Sequence, residues 1–377
     1  MPANYKIAVG GGGTGGHAIP ALAIVRALRA QLPGLDVLYI GAPDSIEERL
    51  AKAEGCRFEA VPIAGIRRTL SAGNLLVPAK CAWALGRALR LVKKFQPQIV
   101  IGTGGFSAWP VCQAARLLRI PYLLQEQNAA PGLVTRLLAA GARRIYLGYA
   151  EAAALIKARP ERTMHTGNPT QLDAAAFAGG DENSAVRSSA RKALNLDEKR
   201  TTIFITGGSG GARSLNQAAD RVKSELMERG FSLIWQTGKQ WDALPEATGE
   251  FLGRLFVQRF LNRETMNRAY LAADLVVARC GAITLAELAI AGRAAVLVPY
   301  PYAAGGHQEA NVRAMEAAGA ALVILDKDLN AATLLKAVTG VIEPSRRIPM
   351  AAAMKALARP SAADVIAGDI LKILDRR

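Results

Sequence analysis

The residues best suited to chemistry stand in glycine-rich runs, each placed directly after an apolar run. Gly11-Gly12-Gly13-Thr14-Gly15-Gly16-His17 follows the apolar stretch Tyr5–Val9 and precedes an amphipathic stretch, Ile19–Leu32. Glycines let a backbone approach a phosphate or a second substrate closely, and a helix amino terminus favours negative charge. His17 is one of three histidines, with His165 and His307. An imidazole on such a turn suits a general base near neutral pH, or a loop former bonded to backbone. Gly207-Gly208-Ser209-Gly210-Gly211-Ala212 repeats the arrangement after Thr202–Thr206, with Ser209 able to donate to a phosphate oxygen. Neither run has the Gly-x-Gly-x-x-Gly spacing of a dinucleotide fingerprint, which argues against a dinucleotide-dependent oxidoreductase.

A third run, Arg279-Cys280-Gly281-Ala282-Ile283-Thr284-Leu285-Ala286-Glu287, leads from an apolar stretch through Gly281 into a helix start. The free N–H groups of such a start would hold a diphosphate. Glu287, a turn or more inside, is suited to accept two hydrogen bonds from a ribose diol; an ordinary helix glutamate is the alternative. Gly305-Gly306-His307-Gln308-Glu309-Ala310-Asn311 offers amides for sugar hydroxyls, or simply a polar cap. The one Asp-x-Asp, Asp326-Lys327-Asp328, reads as surface turn chemistry, and no metal or other cofactor is expected.

The elements that must carry these runs alternate between strand and helix patterns. Val37–Ile40, Phe58–Pro62, Gln98–Ile101 and Tyr122–Leu124 read as strands in the first half, with a helical pattern over Ser45–Glu54. Leu233–Gln236, Leu255–Gln258, Leu275–Val277, Ala295–Val298 and Ala321–Ile324 do so in the second. This alternation implies βαβ units and parallel sheets, whose ligands gather at the carboxyl ends of the strands. The fold class expected is α/β, two Rossmann-like domains facing a cleft. The boundaries expected are 1–166, 167–345 and a helical segment 346–377 that packs back on the first domain. Residues 179–200, polar and charged, read as a linker and surface helix.

At 377 residues and 51% hydrophobic, the chain has material for two cores. Four cysteines far apart predict neither a disulfide framework nor a zinc site, and suggest a reducing compartment. The amino-terminal run leads straight into a strand pattern, which predicts no signal peptide. No apolar stretch reaches the roughly 18 residues of a spanning helix.

The net charge of +16 is unevenly placed: residues 1–168 hold 21 basic and 9 acidic side chains. Between Glu59 and Glu126 there is no acidic residue at all. That interval carries Arg67, Arg68, Lys80 and Arg87 among Leu75, Leu76 and Trp83. Apolar residues ringed by basic ones suit an interfacial patch on an anionic membrane. Nucleic acid would bring aromatic or recognition-helix features, and none stands out.

Taken in order, the runs resemble the MurG family of inverting glycosyltransferases with the GT-B fold. The matching segments are Gly12–His17 with Pro20, Gly104-Gly105, Gln125-Glu126-Gln127-Asn128, Gly167-Asn168-Pro169, Gly207–Arg213, Gly281–Glu287 and His307-Gln308-x-x-Asn311. The resemblance implies transfer of N-acetylglucosamine from UDP-GlcNAc to the 4-hydroxyl of the muramyl sugar of lipid I. The product would be lipid II, a peptidoglycan precursor, made by a peripheral enzyme at the cytoplasmic face of the membrane. It further implies catalytic roles for His17 and Glu126, with Thr14, Gly15, Gly16 and Asn128 lining the site. Ser209 would contact phosphate, Leu261 the uracil through its backbone, Ala282 to Glu287 the diphosphate and ribose, and Gln308 and Asn311 the GlcNAc. Four positions depart from the family pattern: Gln125 for His, Gln171 for an Arg in the donor site, Cys280 for Ser, and Gly306 for Asp. Two rival readings stay open: a GT-B UDP-sugar transferase with another lipid or small acceptor, and a non-catalytic membrane-associated paralogue.

Overall fold

The computed structural model describes residues 5–62, 77–178, 184–241, 244–245, 249–303 and 306–375. The chain forms two compact units, Met1–Thr170 with Ser361–Arg377, and Gln171–Pro360.

In the first unit, seven strands form one parallel sheet: β1 (Lys6–Gly10), β2 (Asp36–Gly41), β3 (Arg57–Ala60), β4 (Ile99–Gly102), β5 (Tyr122–Glu126), β6 (Arg144–Leu147) and β7 (Thr163–His165). Their order is β3-β2-β1-β4-β5-β6-β7. Strands β1, β2 and β4 at the middle of the sheet are nearly all apolar and buried, as a sheet covered on both faces demands, whereas edge-side β3 carries Arg57 and Glu59 and is only partly buried. Helices α1 (Gly15–Gln31), α2 (Ile46–Ala53), α3 (Val77–Phe95), α4 (Ala108–Leu117) and α5 (Leu133–Leu138) connect them. Ala84, Ala88 and Val92 of α3 pack with Val111 and Ala115 of α4 on one face. Ile24, Val25 and Leu28 of α1 pack on the other, together with Ile366, Ala367 and Ile370 from the end of the chain.

In the second unit, α6 (Ser184–Ala193) leads into a six-stranded parallel sheet of β8 (Thr202–Thr206), β9 (Ser232–Gln236), β10 (Leu255–Gln258), β11 (Leu275–Arg279), β12 (Ala294–Val298) and β13 (Ala321–Val323). The order is β10-β9-β8-β11-β12-β13. Helices α7 (Arg213–Glu228), α8 (Arg263–Ala272), α9 (Ala282–Ala291), α10 (His307–Ala317), α11 (Ala331–Ile342) and α12 (Pro344–Ala356) flank it. Helix α13 (Ala362–Asp375) belongs to the first unit.

Three details differ from the sequence reading. The return to the first unit falls at Ser361 rather than near residue 346. Ala351 and Met354 of α12 are buried in the second unit's cores, and Lys355 Nζ donates to Phe177 O and Ile290 O. Helix α6 is more than a surface element: Ala190 joins the core, and Arg191 Nη2 lies 2.6 Å from the Asp274 carboxylate. Strands β6 and β7 escape an apolar-run search because they are short and begin with Arg144 and Thr163.

Candidate active site

In each sheet the order reverses direction between two strands, β1 and β4 in the first unit and β8 and β11 in the second. Helices leave on opposite faces there, opening a crevice at the carboxyl ends of the strands. Three of the four runs singled out by sequence follow strands at these two points; the fourth, Gly305 to Asn311, comes after β12, and its Gly305 lies outside the described residues.

In the first unit the β1 loop and the β4 loop lie against each other. Gly12 N donates to Gly104 O, and Thr103 N to Gly10 O. The approach is close enough to require glycine: a Cβ at Gly105 (φ 73°) would fall 1.9 Å from Gly12 O, and one at Gly104 (φ 90°) 2.9 Å from His17 Nδ1. His17, in the first turn of α1, places Nδ1 3.0 Å from Thr103 O and 2.9 Å from Gln127 Oε1. Both partners are acceptors, so Nδ1 carries a proton, and in the neutral ring Nε2 is the nitrogen with the lone pair. The Gln127 amide is itself oriented, because its Nε2 donates to Thr103 O at 2.7 Å and to the side chain of Gln125. Gln125 Nε2 donates onward to Asn168 Oδ1, and Asn168 Nδ2 returns to Gln127 O. Gln125, the departure from the family's His, is thus a buried link in a closed amide relay. The loop-forming role weighed from the sequence falls to Nδ1 alone, and neither of these contacts uses Nε2.

Glu126 is placed differently from a proton-transfer group. It is 3% exposed, and its carboxylate accepts from Asn128 N, Asn128 Nδ2, Gly132 N and Thr135 Oγ1. With four donors around it, it holds the loop after β5 and so sets the position of Asn128. Thr14 is the exposed N-cap residue of α1, and its side chain makes no capping bond. Gly15 and Gly16 follow in the first turn of α1.

Glu47 was not singled out by sequence, yet it braces the same loop. Its side chain is fully buried, and its two oxygens lie 3.2 and 3.1 Å from Gly13 N. A Cβ at Gly12 would fall 2.1 Å from Glu47 Oε1, so the glycine is what admits the carboxylate. Tyr39, buried beneath, donates its hydroxyl to Gly11 O; burial and then Glu47 push its phenol well above the ordinary value.

In the second unit the runs again meet at the strand ends. Thr206 Oγ1 donates to Gln236 and accepts from Gly208 N, shaping the loop that carries half-buried Ser209. A Cβ at Gly211 (φ 81°) would lie 2.4 Å from Thr237 O. Helix α9 starts after Gly281 with no side-chain cap, leaving its first N–H groups for a ligand. Leu285 and Leu261 are core side chains, which leaves only their backbone for ligands. Ala282 and Ile283 are buried; Thr284 and Ala286 are partly exposed.

Glu287 is 4% exposed. Its Oε2 accepts from the Tyr270 hydroxyl at 3.2 Å, while Oε1 is buried with no hydrogen-bond partner among the described residues. Burial pushes its carboxyl up to about 8, with the hydroxyl of Tyr270 and the amide of Gln171, which lies beside it outside hydrogen-bond geometry, pulling the other way. A buried acceptor without a donor is rare in a folded protein; a ligand hydroxyl would satisfy it. Gln171 therefore stands beside Glu287, and its carbonyl accepts from Arg263 Nε. Gln308 Oε1 accepts from Tyr300 N, leaving its amide nitrogen for a ligand, and Asn311 is fully buried one turn on.

The Asp326-Lys327-Asp328 turn is not only surface chemistry. Asp326 Oδ1 pairs with Arg279 Nη1 at 2.7 Å and accepts from Ser214 Oγ. Arg279, at the end of β11, also donates to Val298 O and lies over the Tyr300 ring. That pairing commits the carboxylate to a cation, which weighs against a metal-ligand role.

Of the basic, apolar interval, Arg67, Arg68, Leu75 and Leu76 lie outside the described residues. Lys80, Trp83 and Arg87 share the exposed face of α3, with Trp83 53% exposed. Arg87 Nε donates to Ala60 O.

Two parallel-sheet units with glycine loops at both reversal points make up the GT-B fold of glycosyltransferases and their structural relatives. The family models agree: residues 7–147 match the glycosyltransferase family 28 N-terminal domain, and 202–366 its C-terminal domain. The chain is 39% identical over 370 residues to the UDP-N-acetylglucosamine--N-acetylmuramyl-(pentapeptide) pyrophosphoryl-undecaprenol N-acetylglucosamine transferase of Salinibacter ruber, covering 97% of this chain and 96% of that one. It is 40% identical to the transferase of the same name from Desulfitobacterium hafniense strain DCB-2, covering 96% and 97%. The crystal structure of Acinetobacter baumannii MurG superposes with a TM-score of 0.68 at 28% identity, over 98% of this chain and 99% of that one. The chain belongs to the MurG family of N-acetylglucosaminyltransferases.

Proposed function

We propose that this chain transfers N-acetylglucosamine from UDP-GlcNAc to the 4-hydroxyl of the muramyl sugar of lipid I, forming lipid II. The observation that carries the reading is His17, whose Nδ1 is anchored to Thr103 O and Gln127 Oε1. That arrangement frees Nε2 to take the proton of the acceptor hydroxyl as its oxygen attacks the anomeric carbon. The bond to the UDP oxygen breaks on the opposite face, so the anomeric configuration inverts. The first N–H groups of α9 and the Ser209 hydroxyl stabilise the charge that develops on the departing diphosphate. Glu287 Oε1 takes a ribose hydroxyl, and Gln308 and Asn311 take hydroxyls of the sugar. Gln171 takes the place of a donor-site arginine; it supports Glu287 rather than supplying a charge to phosphate.

The acceptor is lipid-borne, and the exposed face of α3 with Lys80, Trp83 and Arg87 would rest on anionic headgroups at the cytoplasmic face of the membrane. No described helix is long and apolar enough to cross a membrane. A membrane partner is favoured over nucleic acid because an exposed indole lies among the cations. The test is to supply UDP-GlcNAc and a short-chain lipid I analogue and identify the product by mass spectrometry. A disaccharide-lipid formed only with the acceptor is expected. Donor turnover with other acceptors but not with lipid I would overturn the assignment.

A further inference from the structure

At the end of the first sheet opposite the glycine loops there is a second cavity, of about 360 Å³, lined by Arg143, Arg144, Arg159, Glu161, Arg162, Asp369, Lys372 and Ile373. Its residues come from the start of β6, the segment leading into β7, and α13. Arg144 opens β6 and the site loops lie past the other end of the sheet, so the cavity is separated from His17 by the length of the strands. Five cationic side chains face two carboxylates in it.

Those carboxylates do not neutralise the cavity. Asp369 is committed to the wall: it accepts from Arg144 Nε at 2.8 Å, Arg144 Nη2 at 3.2 Å and the Tyr146 hydroxyl at 2.9 Å. Arg144 Nη1 is used on Glu161 O. This pair ties α13 to β6 and fixes the floor. Arg162 rests Nη1 on the carbonyls of Ala140 and Ala142, leaving its other nitrogens open. The side chains of Arg143, Arg159 and Lys372 are exposed and have no carboxylate partner among the described residues. Three unpaired cations and a half-used guanidinium thus converge on a concave space of ligand size, opposed only by exposed Glu161. Guanidinium groups match phosphate oxygens in fork geometry, and a concave wall strengthens the field of converging cations.

We propose that this cavity is an anion site for a phosphate-bearing ligand carrying two or more negative charges, separate from the transfer site. The exposed Lys80 and Trp83 stand near the start of α3, on the side of the site loops. The cavity is at the other end of the strands and would face away from a membrane docked through α3. This arrangement favours a soluble phosphate over a lipid headgroup.

The test uses the full chain, with UDP held at saturation so that the donor site cannot take the probe. Inorganic pyrophosphate is titrated calorimetrically at low salt into the wild type, R143Q/R159Q, and a control of equal charge loss on the second unit, R221Q/K336Q. One saturable site is expected, weakened about tenfold or more in R143Q/R159Q and within twofold in the control. Vesicles of phosphatidylglycerol are tested in parallel against phosphatidylcholine. Unchanged vesicle binding by R143Q/R159Q assigns the site to a soluble phosphate; binding lost in that variant and competed by pyrophosphate assigns it to a headgroup. Absence of saturable pyrophosphate binding, or equal weakening by both double variants, overturns the proposal. The side chains of Arg143 and Arg159 are exposed and make no hydrogen bond among the described residues, and Arg221 and Lys336 are exposed too, so both variants should melt with the wild type.

Discussion

The imidazole Nδ1 of His17 and the side-chain carbonyl of Gln127 lie 2.9 Å apart although 110 residues separate them in sequence. The contact fixes the tautomer of the residue expected to act as base. Gln127→Leu removes one of two acceptors and leaves Thr103 O. A fall in kcat of about tenfold is expected, because a general base is worth about 100-fold or more and is only partly misoriented. The KM for UDP-GlcNAc should not move, and steady-state kinetics with both substrates separates the two effects.

Glu47 braces the loop that carries His17 without touching open space. Glu47→Ala leaves Gly13 N without its acceptor and a void beneath the loop, and should cost about 2 kcal/mol of stability. Glu47→Gln keeps the volume and one oxygen, so it should cost less while still lowering kcat. Chemical denaturation and turnover measured on both variants check this.

If Glu287 takes a ribose hydroxyl as proposed, its carboxyl, held near 8 by burial, makes donor binding depend on pH. The ribose hydroxyl would then need a carboxylate acceptor, so binding would release a proton wherever the free protein holds one. Affinity for UDP should therefore rise as pH increases toward 8 and level off above it. The stability of the free protein moves the other way. A carboxyl raised above its unfolded value, near 4.5, stabilises the fold fully below that value and loses the contribution as pH rises through about 8. Glu287→Gln should flatten both dependences; calorimetry of UDP binding and melting temperatures from pH 5 to 9 test them.

The face of α3 gives a salt-dependent expectation. Replacing Lys80 with Gln and Trp83 with Ala should weaken binding to phosphatidylglycerol vesicles severalfold, and more at low salt than high. Transfer to a water-soluble acceptor analogue should be unaffected. Vesicle sedimentation and the soluble assay together distinguish docking from damage to the site.

Much of this arrangement was legible because it is local. An apolar run followed by glycines marks a strand ending in a tight loop, and that pattern placed the runs at strand ends; that three of them stand at the reversal points follows only from the strand order of the folded sheets. The braces were not legible because they are made across the fold. Glu47 is one of two adjacent glutamates in an ordinary helical pattern, and only the approach of Gly12 and of Gly13, the latter 34 residues away, singles it out. Asp326 looked like a surface turn until Arg279 was found against it. Strand β6 was hidden because Arg144 and Tyr146 serve α13 through Asp369, a polar pairing no period-two pattern reveals. Glu126, grouped with His17 by family resemblance, is surrounded by donors that only the folded loop supplies.

The most direct test is single-turnover transfer from UDP-GlcNAc to a lipid I analogue by the wild type and by His17→Ala, with UDP affinity measured on the same samples. If His17 Nε2 takes the acceptor proton, the variant transfers at least about 100-fold more slowly and binds UDP within twofold of the wild type. Transfer within a few-fold of wild type would contradict the role assigned to His17 and move the base elsewhere in the site.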